Sequence, residues 1–332
     1  MAAGSASGVH PGRASIGSRA IGGWLRWGDG VRIAGRVTLG HPELWPLVLL
    51  GFLVRGGIVL FVFSVVTPPS PVGLANIVGP TAVTANGLNP AVIPVLAAIV
   101  VGGVVALFVA TAIGSWADAT VTTVTVGDGT GAAGASAAPT TPPPPITARL
   151  IETLVAIRIV VAIPLALVAA LVVRSIVEVT YDQLVLPSDL SVPLAWRVAR
   201  DAAMPVAVVL VAWQLAEIVG GVAARRAVLY RESTGRAVWM ALRHVTRHPA
   251  TTLATAVLGD LGLLAALIPT LVGIGLAGGS VNAVLGQQGL VTVAGLVSAL
   301  FVAVWLGGLL LTAVASVWRS VLWSVEIGRL PR

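Results

Sequence analysis

The chain contains few charged residues, no lysine and no cysteine. Only 10% of its residues are charged, while 57% are hydrophobic. A soluble globular protein carries about 25% charged residues, so this chain cannot cover a water-facing surface. The missing cysteine excludes disulfides and thiolate metal sites. We therefore expect an integral membrane protein, most of which is solvated by lipid.

The apolar residues fall into stretches of membrane length. A helix needs about 20 mostly apolar residues to cross the hydrocarbon of a bilayer. Stretches of that length lie near 44–66, 91–116, 150–175, 203–224, 251–277 and 290–317. The predicted fold is an all-α polytopic membrane protein: a bundle of six transmembrane helices, with amphipathic helices at the membrane interface.

The distribution of arginine predicts the orientation of these helices. With the amino terminus inside, 15 of the 20 arginines flank the spans on the cytoplasmic side, and only Arg174, Arg197 and Arg200 lie outside. Cytoplasmic flanks of membrane proteins collect positive charge. Both termini are therefore expected in the cytoplasm. The same rule explains the formal net charge of +7 without nucleic acid as a partner.

Composition also divides the chain into segments. Residues 1–20 and 118–147 are rich in small residues, threonine and proline, and we expect both to be disordered because they bury little apolar surface. Residues 21–117 are predicted to hold a juxtamembrane helix and the first two spans. Residues 148–332 are predicted to hold the remaining four spans.

Several charged residues lie inside the predicted spans, where a charge costs at least about 2.5–3.5 kcal/mol. We expect them to converge as a neutral cluster with a nearby amide; the candidates are Arg55, Arg158, Glu217, Asp260 and Gln214. One interpretation is a polar path or binding site for an ion, a proton or a lipid head group. The other is a buried ion-pair network that fixes helix packing.

A basic segment precedes the fifth span. We expect a cytoplasmic amphipathic helix over 233–248, with Val238, Leu242 and Val245 on one face and arginines on the other. The candidates for contact with anionic lipid head groups or with a protein partner are Arg225, Arg226, Arg236, Arg243 and Arg247. The alternative interpretation is that these arginines only determine topology.

Patterns for metal, cofactor or catalysis are weak. His244 and His248 have the spacing of two ligands on one helix face, but no carboxylate accompanies them in the manner of a metalloprotease helix. Gly129, Gly131 and Gly134 match a dinucleotide-binding turn, but no amphipathic helix follows. We therefore expect no metal, no cofactor and no catalytic residues.

The basic stretch RRAVLYRESTGRAVWMALRHVTRHP and the segment HPELWPLVLL resemble parts of a bacterial group of six-helix membrane proteins. The group includes the membrane domain of some glycerophosphodiester phosphodiesterases and its stand-alone relatives. The resemblance implies an accessory or lipid-facing protein of the bacterial cytoplasmic membrane. No residue matches the catalytic domain of those enzymes. The predicted function is to bind or organise lipid or partner proteins, and the alternative is a small transporter or permease component.

Overall fold

The computed structural model describes residues 16–66, 83–84, 87–90, 92–127, 145–186, 188–189, 191–286 and 291–328. The helices in these ranges are α1 (Ile16–Gly40), α2 (Leu44–Phe52), α3 (Ile58–Phe63), α4 (Val92–Gly127), α5 (Ala148–Val185), α6 (Leu194–Asp201), α7 (Ala203–Tyr230), α8 (Thr234–Arg247), α9 (Pro249–Gly286) and α10 (Val291–Gly328). Strands β1 (Val83–Thr84) and β2 (Gly87–Leu88) form a two-residue antiparallel pair.

Six helical segments are long and apolar enough to cross a membrane: Leu44–Phe63, which joins α2 and α3, and the five long helices α4, α5, α7, α9 and α10. The expectation of a helical chain with six such segments is confirmed. Two helix starts follow the local sequence. Thr147 caps α5 by accepting a hydrogen bond from the backbone N–H of Leu150. Pro249 opens α9, where its missing N–H has no helical partner to lose.

Helix packing is concentrated at one end of the bundle, which we call the base. Helix α10 lies at its centre and contacts α1, α2, α4, α7 and α9. Most buried apolar side chains come from the base ends of the helices: the carboxyl ends of α4, α7 and α10 and the amino ends of α2, α5 and α9. They include Val121, Leu154, Val222 and Val321, which are at most 1% exposed. A smaller cluster of Phe61, Leu267 and Ile274 lies further along α3 and α9.

Outside the packing of α3, α9 and α10, the opposite half of the bundle is largely exposed. Residues 93–109 of α4 are exposed on every face, although they carry no charge and belong to the most apolar of the six segments. Exposure of such a large apolar surface to water is unfavourable. Acyl chains would solvate it.

The boundaries of two predicted segments were wrong. The predicted disordered linker begins at residue 118, but residues 118–127 continue α4. Val121, Thr122 and Thr125 are buried in the base, so tertiary packing outweighs the low helix propensity of this β-branched run. Likewise α1 begins at Ile16, inside the predicted tail. The rest of the tail and residues 128–144 lie outside the described residues.

The first membrane-length segment is interrupted by a π-helical turn, Leu53–Gly57. Gly56 adopts a φ of 110° there, a conformation that residues with a Cβ rarely adopt. π-Helical turns insert one extra residue into a helix and are common at functional sites. Arg55 lies within this turn, and its side chain reaches α4.

Candidate functional site

Each of the six membrane-length segments contributes one charged residue to a layer across the bundle. We call this set the ion-pair layer: Arg55, Asp118, Arg158, Glu217, Asp260 and Arg319. Each lies 9 to 13 residues from the base end of its helix, or about 14–20 Å at 1.5 Å per residue. With three arginines and three carboxylates, the layer is neutral.

Asp118 holds one side of the layer together. Its carboxylate accepts hydrogen bonds from Arg55 at 2.8 Å and from Arg158 at 3.1 Å. Arg158 also lies 3.6 Å from Glu217 on α7. Sequence reasoning missed Asp118 because it placed this residue in the disordered linker. The sequence does indicate Asp118: residues 56–117 carry no charge, and Asp118, which ends this run, can serve as the charged partner of Arg55.

Asp260 holds the other side of the layer. One carboxylate oxygen accepts a hydrogen bond from Gln214, and the other lies 2.8 Å from Arg319 on α10. Sequence reasoning assigned Arg319 to the cytoplasmic end of the chain and therefore missed it. Gln214 and Glu217 lie one turn apart on α7, so this helix joins the two sides of the layer.

Each arginine of the layer lies over a glycine of a neighbouring helix. A Cβ atom on Gly114 would overlap the guanidinium of Arg55. A Cβ on Gly220 would lie 3.2 Å from Arg158 Nη1, and one on Gly259 would lie 3.0 Å from Arg319 Cγ. Small residues let the long side chains cross between helices that pack closely. These glycines therefore set the path of each arginine to its carboxylate.

The ion pairs also close helical hairpins. No charged residue lies between Arg55 and Asp118, or between Asp260 and Arg319. In each case the two charges that end the uncharged run pair with each other at 2.8 Å. The pair between Arg158 and Glu217 joins α5 to α7 in the same way, although the segment between them contains charges.

Arg225 is not at the surface, where the sequence placed it. It is 4% exposed, in the base, between α7 and α10. Its guanidinium donates to the hydroxyls of Ser320 and Ser324 and to the carbonyls of Gly221 and Ser320. The residue lies on the face of α7 that packs against α10, so its donors are satisfied by the protein and not by lipid.

Three polar atoms near the layer have no hydrogen-bond partner among the described residues. They are Ser115 Oγ, Ser316 Oγ and Arg319 Nε, and all three are buried. Ser115 and Ser316 each lie three residues before a member of the layer. Buried polar atoms in this situation are commonly satisfied by ordered water, which the layer would then hold.

Helix α8 presents its arginines on an exposed face, but the composition of that face differs from the prediction. Ala237, Ala241 and His244 form the buried stripe against the bundle. Trp239 is 66% exposed and Leu242 is 43% exposed. Leu242 therefore lies on the outer face and not on the buried one, because the small alanines allow α8 to pack closely on that side. We call this outer face the α8 surface: Arg236, Trp239, Leu242, Arg243 and Arg247.

Arg226 belongs to the base and only partly to the surface. It makes two hydrogen bonds to the carboxylate of Glu232, at 2.8 and 3.1 Å, and its guanidinium stacks on the ring of Tyr230. Glu232 also lies 4.0 Å from Arg236. The strongest contacts of Arg226 are thus inside the protein. Of the five candidate arginines, this leaves Arg236, Arg243 and Arg247 exposed.

His244 is held in its neutral form. Burial lowers the pKa of its imidazole, and the positive charges of the neighbouring His248 and Arg226 add to this effect, so that the pKa is about 4. Its Nε2 lies 3.4 Å from the hydroxyl of Thr252 on α9. In the described part of the chain no group of three or more potential metal ligands is found.

Comparison with protein-family models, with curated proteins and with solved structures finds no match for this chain.

Proposed function

We propose that this chain is a multi-pass protein of the bacterial cytoplasmic membrane that binds anionic lipid through the α8 surface. In this proposal both termini face the cytoplasm. The protein organises lipid, or partner proteins that associate with that lipid, without catalysing a reaction. The distribution of arginine supports the orientation. The resemblance to six-helix bacterial membrane proteins supports the location.

The observation that carries the proposal is the composition of the α8 surface. Arg236, Arg243 and Arg247 are exposed on the same face as the apolar side chains Trp239 and Leu242. Tryptophan is enriched at membrane interfaces, and each arginine near an anionic membrane surface contributes about 1 kcal/mol. A purely topological role for the arginines does not require two exposed apolar side chains between them.

Native mass spectrometry in a non-ionic detergent tests the proposal. Phosphatidylglycerol is added, and the lipid-bound fraction of wild type is compared with that of the triple variant Arg236→Gln, Arg243→Gln and Arg247→Gln. Three surface contributions of about 1 kcal/mol predict a loss of roughly a hundredfold in affinity. The matched single-charge comparison is Arg243→Gln against Arg174→Gln, an exposed arginine far along α5. Equal phosphatidylglycerol binding by wild type and the triple variant would refute the proposal.

A second candidate function is a permease component with the ion-pair layer in its path. The unpartnered hydroxyls of Ser115 and Ser316 beside the layer favour it, because water at these positions would continue a polar path. The pairing of every charge in the layer favours a structural role instead. Because the chain lacks cysteine, Ser115→Cys and Ser316→Cys each introduce a single thiol. Reaction of both with a small soluble thiol reagent in intact membranes supports the permease; protection of both refutes it.

A further inference from the structure

A second candidate binding surface lies around α6, at the end of the bundle opposite α8. Helix α6 ends at Asp201 and α7 begins at Ala203, whereas α8 follows the other end of α7. The 28 residues of α7 span about 42 Å at 1.5 Å per residue. A bilayer including its head groups is about 40–45 Å thick. When α8 lies at the head groups of one leaflet, α6 therefore lies at those of the other.

A cavity of about 420 Å³ opens at α6, lined by Asp189, Val192, Trp196, Arg197, Ala199 and Arg200. Its volume is in the range of small-ligand sites, about 300–1,000 Å³. Trp196 is 72% exposed, as expected for a side chain at the membrane interface. The cavity is separate from the ion-pair layer and from the α8 surface.

Arg197 is the buried charged side chain of this site. It is 8% exposed, and its Nη1 donates to the backbone carbonyl and the side-chain oxygen of Gln183, at 3.3 Å each. Its Nε is buried and has no hydrogen-bond partner among the described residues. An unsatisfied donor on a buried cation is costly. Gln183 fixes the orientation of this guanidinium, and Arg197 lines the cavity.

The carboxylates around the cavity balance its arginines. Arg200 lies 3.2 Å from Asp201, whose other oxygen accepts a hydrogen bond from Gln183. Hydrogen bonds from Ser191 hold the pKa of Asp189 below its usual value, so that carboxylate is ionised at neutral pH. The two arginines and two carboxylates sum to zero. A ligand with one anionic and one cationic group preserves this neutrality, whereas a purely anionic ligand leaves one negative charge uncompensated.

We propose that this cavity binds a phosphoethanolamine head group of a lipid in the leaflet opposite α8, with the phosphate at Arg197 and Arg200 and the ammonium at Asp189. The buried, oriented guanidinium supplies directional donors for the phosphate oxygens. The adjacent carboxylate selects a head group that carries an ammonium. This site is independent of the α8 surface and of the anionic lipid proposed there.

Competition between two lipids in non-ionic detergent tests the proposal by native mass spectrometry, because the masses identify the bound lipid. Equimolar phosphatidylethanolamine and phosphatidylglycerol are added to wild type and to Arg200→Gln. Loss of a charge-assisted contact predicts about a tenfold or greater loss of phosphatidylethanolamine affinity in the variant. Arg174→Gln is the matched control, since this arginine is 79% exposed and does not line the cavity. Equal binding of phosphatidylethanolamine by the two variants would overturn the proposal.

Asp189→Asn tests the selection of head groups. We expect this variant to lose its preference for phosphatidylethanolamine and to bind more phosphatidylglycerol, while total bound lipid stays constant. An unchanged preference would overturn the role of the carboxylate.

Arg197→Gln should lose the same lipid as Arg200→Gln, and its thermal unfolding shows whether it remains folded. If soluble phosphoethanolamine binds and the lipid does not, the lipid is excluded as the source of the head group. The triple variant of α8 should keep phosphatidylethanolamine, so failure of either proposal is distinguishable.

Discussion

Replacing Asp118 with asparagine removes the carboxylate that Arg55 and Arg158 share, at 2.8 and 3.1 Å. The side chains of Asp118 and Arg158 are 16% and 17% exposed, so water screens Arg158 poorly, whereas Arg55 is 35% exposed and is screened in part. Breaking a buried ion pair by removing one partner costs about 3–5 kcal/mol, because the other charge stays buried without compensation. Because Arg158 keeps its contact with Glu217 and Arg55 is partly exposed, we expect Asp118→Asn to destabilise the protein by about 3 kcal/mol, the lower end of that range.

The assay is unfolding of the purified protein in non-ionic detergent by increasing dodecyl sulfate, followed by the loss of helical circular dichroism. Asp182→Asn is the matched control, since Asp182 is exposed on α5 and surface substitutions usually change stability by about 0.5 kcal/mol or less. Adding Arg55→Gln to Asp118→Asn should recover part of the loss, because it removes one uncompensated cation. The reasoning is refuted if Asp118→Asn lies within about 1 kcal/mol of the control.

Three further predictions follow from the same contacts. Gly114→Ala should destabilise by about 1–3 kcal/mol because its Cβ overlaps a guanidinium, whereas Gly102→Ala, with nothing within 4 Å, should be neutral; equal unfolding free energies would contradict this. A double-mutant cycle on Arg158 and Glu217 should give a coupling of about 0.5–3 kcal/mol, and a coupling of zero would mean that the 3.6 Å contact is not formed. The folded-state pKa of His244 is about 4, below the usual 6.5, so stability should fall as pH drops from 6.5 towards 4. Unfolding at pH 7 and 4.5 should show a smaller fall for His244→Gln, and an equal fall in both proteins would contradict the assignment.

The helical fold was predictable because hydropathy depends on local composition alone. Apolar runs of membrane length indicated the six segments, and the start of α9 at Pro249 follows the usual place of proline in the first turn of a helix. The end of α4 was not predictable in this way. Residues 118–127 contain four threonines and three valines, which have low helix propensity, and only their burial against α10 and α7 makes them helical.

That error at the end of α4 explains most of what was missed at the candidate site. With Asp118 assigned to a linker, Arg55 had no neighbour in the chain that could neutralise it. With Arg319 assigned to the cytoplasmic end, the predicted cluster lacked the arginine that contacts Asp260. A count of charges along the chain contained the missing information, because each of the two longest uncharged runs, 56–117 and 261–318, lies between one arginine and one aspartate.

The position of the α8 surface depended on packing and could not be derived from periodicity. Helical spacing placed Leu242 with Val238 and Val245, but α8 packs through its alanines, Ala237 and Ala241. The difference rotates Trp239 and Leu242 to the outside, between the exposed arginines. With these two apolar side chains beside the arginines, the outer face of the predicted basic helix is suited to the membrane interface.

The depth of a spin label on α8 shows whether the α8 surface lies among the phosphates of an anionic leaflet, as we propose. Thr246 is exposed on α8, and Thr246→Cys provides a single labelling site because the chain contains no cysteine. In nanodiscs containing phosphatidylglycerol, we predict oxygen and nickel accessibilities of a label at head-group depth, and those of bulk water once Arg236, Arg243 and Arg247 are changed to glutamine. Bulk-water accessibility in the unmodified surface as well would contradict the claim.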